Sequence, residues 1–385
     1  MAEPLSQERG FPIEVERRGG DPRNAARAVR GVTEGWIWAM TQREEREMSA
    51  KPLVSLCCST YSRPDLFEQT LKGLLRQTYE PLEIVVLVDG ANPASIDVLR
   101  AHADPRLRWF TTPKASGMIP AWNKVVAESK GELFLFCADD DVLLENAIEA
   151  QIDLLLANPD VGFCHADFYL VDDDGKQIGE WQSHEGTWIK SGLSEWERYL
   201  MQPKCCMQTA VVRRALWDRV GRWDEDAGYP GDNSLYLKLL KVSDVGHVAR
   251  FSCRYRVRTK SPDSWLKNAN KVREDVALAR KHLATPPDAL RDRVPALTRD
   301  VDNHFARNAF AVLADKRATP SERAEFSAWV EGNLLRDGLR GALYRWLLEH
   351  RLEQVPATAT SLESRARVAA RTVLASGRRL LARSA

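Results

Sequence analysis

The chain is most informative first for what it lacks. A dinucleotide-binding sheet needs G-x-G-x-x-G directly after its first strand. Here that turn reads Cys58-Ser-Thr-Tyr-Ser-Arg-Pro64, with no glycine, and a P-loop is also absent. The seven cysteines (Cys57, Cys58, Cys137, Cys164, Cys205, Cys206 and Cys253) form no C-x-x-C pair, which argues against a zinc site. Most lie in apolar, strand-like runs, the pattern of buried free thiols in a reducing cytosol. No apolar run approaches the roughly 20 residues of a transmembrane helix, and the N-terminus has no apolar core of a secretory signal. The formal net charge is +1, so bulk electrostatics give no reason to expect nucleic acid as a partner. No internal repeat or low-complexity tract stands out.

What is present is organised around Gly131 to Val142. Leu133 to Cys137 is an apolar run of the kind found in a strand covered on both faces, and it stops at Asp139-Asp140-Asp141. Ligands of open α/β sheets bind at the carboxyl ends of strands. Three adjacent carboxylates repel one another unless a cation offsets them, and Mg²⁺ takes carboxylate and phosphate oxygens. The stretch therefore fits a metal–diphosphate site. It equally fits a solvated acidic turn in which Asp caps the next helix.

The surrounding pattern alternates strand and helix. Strands are expected at Leu53–Cys58, Glu83–Val88, Leu107–Phe110, Leu133–Cys137 and Val161–Val171, with helices between them. That order argues for right-handed parallel crossovers. Ser62, Pro64 and Asp65 read as the cap and first turn of the first helix. Asp172-Asp-Asp-Gly175 reads as a solvated hairpin tip. Residues 176–210 read as an irregular, Trp-rich loop or lid (Trp181, Trp188, Trp196). Arg254, Arg256 and Arg258 alternate along one strand face, fitting either diphosphate contacts or a solvated face. Three regions follow: an N-terminal extension, 1–50, read as a mobile arm; an α/β domain, 51–260; and a helical region, 261–385. Met48, just before the ordered pattern, is a second start-like methionine.

Several linked motifs give these elements a family resemblance. Leu53-Val-Ser-Leu-Cys-Cys-Ser-Thr-Tyr-Ser-Arg-Pro64, Leu74-Leu-Arg-Gln-Thr-Tyr79, Ile84-Val-Val-Leu-Val-Asp-Gly90 and Ala138-Asp-Asp-Asp-Val142 resemble family 2 glycosyltransferases of the GT-A fold over about residues 52–260. The resemblance implies an α/β fold with a Rossmann-like mixed sheet and helices on both faces. It also implies a UDP-, dTDP- or GDP-linked sugar donor, Mn²⁺ or Mg²⁺, inversion at the anomeric carbon, a hydroxyl acceptor and a cytosolic active site. Thr60, Tyr61 and Arg63 match the loop at the donor base and ribose, and Asp89 the acidic residue that hydrogen-bonds the base. Gly117 and Asn123 match the segment under the donor, and Lys114 is a candidate phosphate contact. Asp139 and Asp140 match the ribose-contacting part of the D-x-D region. The metal is placed on Asp141, with Asp139 as a second ligand. The usual Asp is Ala138 here, which breaks the usual register. Asp232 matches the catalytic base, which takes the acceptor hydroxyl proton as that oxygen attacks the anomeric carbon. Gly231 stands where the family usually has Glu, and Asp232 also reads as a helix N-cap.

Two other classes stay open. A catalytically silent nucleotide-sugar binding protein is suggested by Gly231 and Ala138. A nucleotidyltransferase would need a Gly-rich phosphate loop that is missing. The helical region is expected to shape the acceptor site or a homo-oligomer interface. Its last stretch, Arg365 to Arg383, fits a basic amphipathic helix at an anionic membrane surface, or an ordinary exposed terminal helix.

Overall fold

A computed structural model describes residues 51–335, apart from 184, 204, 258–263 and 316. The expected N-terminal arm, Arg258 and the basic stretch 365–383 lie outside the described residues.

The alternation of strands and helices is realised from Pro52 onward. Strands β1 (Val54–Thr60), β2 (Leu82–Val88), β3 (Leu107–Thr111) and β4 (Leu133–Ala138) lie parallel, joined by helices α1 (Pro64–Leu75), α2 (Pro93–Ala101) and α3 (Met118–Glu128). The sheet continues through β5 (Val142–Leu143), β6 (Val161–Val171), β7 (Gln177–Trp181), β8 (Trp188–Lys190), β9 (Val211–Arg213) and β10 (Asp244–Arg256). Its order is β3-β2-β1-β4-β9-β6-β10-β5, with β7 beside β6 and β8 beside β10. β9 runs antiparallel to both β4 and β6, so the sheet is mixed. Helices α4 (Glu149–Ala157), α5 (Gly192–Tyr199), α6 (Arg214–Arg219) and α7 (Gly231–Leu239) accompany these strands. Helices α8 (Ser264–Leu283), α9 (Val294–Leu313) and α10 (Pro320–Leu334) follow them.

Strand pleating sorts side chains onto two faces. Leu56, Cys58, Ile84 and Val86 join one buried cluster with Leu71, Leu74 and Ile152. Their chain neighbours Cys57, Val85 and Leu87 join the other, which takes in α3, α7 and the helices beyond residue 264. There Phe134 meets the edges of Trp217 and Trp223 at 5.7 and 5.9 Å between ring centres. All seven cysteines are thiols and only Cys206 is not fully buried. Burial pushes the Cys57 thiol up to about 12.

Two local expectations are corrected and a third is realised. Residues 176–210 hold β7, β8, α5 and a 3-10 turn at Met207–Thr209, and Trp196 is a core residue. β7 and β8 are too short for period-2 patterning to register in the sequence, and β8 is fixed by a sheet partner, β10, far along the chain. The residue flanking α1 is Arg63, not Ser62, and no side chain caps that end. The Asp172 turn does form the β6–β7 hairpin tip, with Gly175 N–H donating to the Asp172 carbonyl at 3.0 Å.

The aromatic contacts of Phe134 set a test. Phe134→Ala removes a fully buried ring and should lower unfolding stability by about 3–5 kcal/mol, read as a lower denaturation midpoint.

Candidate functional site

Register, not chain proximity, assembles the site. Thr60, Val88 and Ala138 end three adjacent parallel strands, with Thr60 opposite Val88 and Ser59 opposite Ala138. Asp89 and Asp139 therefore emerge side by side with Thr60 at the carboxyl edge. The Asp89 N–H donates to the Thr60 carbonyl at 2.8 Å. The Thr60 hydroxyl donates to Asp139 Oδ2 at 2.9 Å.

The aspartate run draws its donors from the protein itself. Arg63, placed just before α1, reaches back so that one guanidinium nitrogen donates to Asp139 and another to Asp140. Asp141 is 2% exposed. Its Oδ1 accepts the Arg256 backbone N–H at 2.7 Å and its Oδ2 accepts the Gln208 amide. Burial raises both the Asp139 and Asp141 carboxyls, with Arg63 pulling Asp139 back down and Asp140 pushing Asp141 further up. Arg256 is not on a solvated face. It is buried, and its guanidinium donates to the backbone carbonyls of Asp140, Asp172 and Asp173 and to Gln69. It braces the turn where phosphate contact was one expectation. Arg254 is exposed.

Asp89 is 4% exposed and accepts four donor groups. These are the Thr112 hydroxyl at 2.6 Å, the Ser116 N–H at 2.8 Å and hydroxyl at 2.9 Å, and the Gly117 N–H at 3.2 Å. The carboxylate thus fixes the 112–117 loop, which carries exposed Lys114 into α3. Tyr61 is 58% exposed and its ring lies against Gly90. Asn123 has partners within the protein. Its amide donates to the Trp223 carbonyl at 3.0 Å and its carbonyl accepts the Trp223 N–H at 3.1 Å. It is a clip between α3 and the Trp223 loop.

Asp232 sits in the first turn of α7, and Pro230 occupies the flanking position in place of an Asp232 cap. Its Oδ1 accepts the Asn233 N–H at 2.8 Å. Burial lifts its carboxyl above the ordinary aspartate range, while Lys271 opposes the shift. Asp232 shares an electrostatic neighbourhood with the aspartate run. The Tyr255 hydroxyl, raised first by burial, is raised further by Asp141, Asp232 and Asp140, and the Cys206 thiol by Asp141 and Asp232. Gly231 has a packing reason. A Cβ there would lie 2.8 Å from Ile119 Cδ1 and 3.1 Å from Trp122 Cζ3, so a glutamate would displace α3 side chains.

Within the run, one carboxylate oxygen is left without a protein donor among the described residues. Asp139 and Asp141 spend both oxygens on protein donors, whereas Asp140 Oδ1 meets no donor among the described residues. Mg²⁺ commonly keeps several waters and needs only one or two carboxylates beside substrate phosphates. The residues therefore fit a cation on Asp140 more readily than on Asp141. Sequence reasoning missed Gln208, Thr112 and Ser116, whose contacts with the site's carboxylates arise across 22 or more residues and leave no local signal.

Residues 55–219 match the glycosyl transferase family 2 pattern. An uncharacterized glycosyltransferase of Rickettsia typhi is 26% identical over 202 residues, 52% of this chain and 62% of that protein. The chain thus spans about three-fifths of that relative's length. UDP-Glc:alpha-D-GlcNAc-diphosphoundecaprenol beta-1,3-glucosyltransferase WfgD of Escherichia coli is 24% identical over 214 residues, 55% of this chain and 80% of that protein. S. aureus TarS 1-349 in complex with UDP shares the fold at a TM-score of 0.53 and 16% identity, over 85% of this chain and 91% of that one. Mannosyltransferase PcManGT from Pyrobaculum calidifontis, in complex with GDP-Man and Mn2+, gives 0.51 and 17%, over 85% and 88%.

Arg63 offers a direct test of the charge balance. Arg63→Ala leaves Asp139 and Asp140 without their guanidinium. Partial exposure limits the loss to about 1–2 kcal/mol, seen as a lower melting temperature at pH 7. The deficit should shrink as pH falls, because protonated carboxyls need no counter-charge. Millimolar Mn²⁺ should recover more of it than it adds to the unaltered chain. On this matched segment and these relatives, residues 55–219 are similar to glycosyl transferase family 2, and the chain shares its fold with solved glycosyltransferases.

Proposed function

We propose that the chain is an inverting, metal-dependent glycosyltransferase that moves a sugar from a nucleotide-diphosphate donor to an acceptor hydroxyl. The observation carrying this reading is the convergence of Thr60, Asp89 and the aspartate run on one sheet edge, with Asp232 in the same electrostatic neighbourhood. Thr60, Tyr61, Arg63 and the 112–117 loop would bind the nucleotide, with the exposed Tyr61 ring available to the base and Lys114 and Gly117 near the phosphates. Asp89 would act by holding that loop. A divalent cation on Asp140 would offset charge on the leaving diphosphate. Asp232 would accept the acceptor proton. The glycosyltransferase relative acting on a diphosphoundecaprenol-linked sugar supports a lipid-linked or other glycan acceptor, and the structural neighbours support UDP- or GDP-sugars. Among the described residues no helix is long and apolar enough to cross a membrane. We place the enzyme in the cytoplasm, with peripheral membrane contact through the stretch 365–383.

Three measurements test this. In a thermal-shift panel of UDP-, GDP- and dTDP-sugars, one donor class should raise the melting temperature in Mn²⁺. In calorimetry, EDTA should weaken that donor's binding at least about tenfold and Mn²⁺ should restore it; unchanged affinity would remove the metal from the proposal. Asp232→Asn should cut donor turnover by about 10²–10⁴-fold with donor affinity retained. Since the base acts as the carboxylate and burial raises its pKa, turnover should fall away on the acid side at a higher pH than an exposed aspartate would give. A silent binding protein would bind donor yet show no turnover for Asp232→Asn to remove.

A further inference from the structure

The loop that delivers Asp232 is fastened to a helix that the strand–helix pattern does not include. Between Trp223 and α7 the chain has no regular structure. Two residues of α8 hold it. Glu274 Oε2 accepts the Tyr229 backbone N–H at 2.6 Å. Its carboxylate packs so tightly on Gly228 that a Cβ there would lie 2.5 Å from Oε2, and Gly228 adopts a φ of +68°. Two turns along the helix, Lys281 pairs with Asp226 at 3.0 Å and Asp224 at 3.2 Å. Val272, Val276 and Ala279 bury another face of α8 in the core, so the clasp rests on a fixed support. Glu274 also lies one turn from Lys271, which pairs with Asp275 at 3.1 Å.

We propose that Glu274 is a positioning residue for the transfer reaction: by holding Tyr229 and Gly228 it sets where Asp232 stands at the donor site. This rests on the reading of Asp232 as the base. Placement matters because a base must come within hydrogen-bond reach of the proton it removes, and a displacement of about 1 Å can cost about a hundredfold in rate. Glu274 does not touch substrate. Its influence passes through four residues of backbone from Gly228 to Asp232. A glutamine can still accept the Tyr229 N–H through its carbonyl, whereas an alanine cannot.

Hydrogen exchange of the intact chain, read by mass spectrometry, needs no substrate and decides first. In Glu274→Ala, amides of residues 229–233 should exchange at least about tenfold faster, with β1, β2 and β4 unchanged. Glu274→Gln should restore protection. Next, release of UDP or GDP from UDP-glucose, UDP-N-acetylglucosamine or GDP-mannose is followed in Mn²⁺. Glu274→Ala should lower kcat at least about tenfold with donor KM within about twofold, and Glu274→Gln should recover to within about threefold. Exchange unaffected by alanine, or a glutamine variant as damaged as the alanine one, overturns the proposal. If Asp232→Asn abolishes turnover while Glu274→Ala leaves it intact, the base stands and this proposal falls. If Asp232→Asn leaves turnover intact, both fall.

Discussion

Three like charges at the end of a buried strand impose the constraint on which the rest of the site depends. A carboxylate loses much of its hydration at such an edge, and its neighbours add repulsion. The chain answers with donors drawn from four separate segments. Thr60 ends β1, Arg63 precedes α1, Gln208 lies in the 3-10 turn before β9, and the Arg256 amide ends β10. These segments reach from β1 to β10 across the middle of the sheet. The charge balance of the aspartate run and the closure of the sheet around it are thus one arrangement. The Arg256 side chain extends the same brace to the β6–β7 hairpin by holding the carbonyls of Asp172 and Asp173.

Asp89 solves a related problem on the neighbouring strand. Its carboxylate gathers two backbone amides and two hydroxyls. A loop of otherwise exposed residues acquires a defined shape from one buried anion. Such preorganisation lowers the entropy lost on ligand binding, because the loop is ordered before a ligand arrives.

The parallel half of the fold was legible because its signals are local. Each of β1, β2 and β4 is a short apolar run, stopped by a polar loop after β1 and by an aspartate after β2 and β4, and pleating needs no distant information to be read. The strand-end residues Thr60, Asp89 and Asp139 were legible for the same reason. β7, β8 and the Trp196 helix were not, since such short elements carry little pattern of their own and β8 takes its identity from partners up to 59 residues away. Residue roles were harder still. Asn123 looks like a pocket residue in sequence, yet its partner is the Trp223 backbone, 100 positions on. Ser62 has the chemistry of a cap, but Arg63 takes the position. Gly231 reads as a lost glutamate until Ile119 and Trp122 are seen to fill the space beside it.

The two faces of the sheet also differ in when they can dry out as the chain leaves the ribosome. The face bearing Leu56, Cys58, Ile84 and Val86 draws its buried partners from before residue 260. The opposite face shares its cluster with Val301, Phe305, Phe326 and Val330. Its full cover therefore arrives only after some 270 residues of synthesis beyond β1, and such non-local closure is slow. Until then Trp265, whose ring meets the edge of Phe326, and the α8 face around it stay incompletely covered, exposing the nascent chain to aggregation and to chaperone capture. A sheet whose two sides mature at different times ties the donor edge to the last helices made.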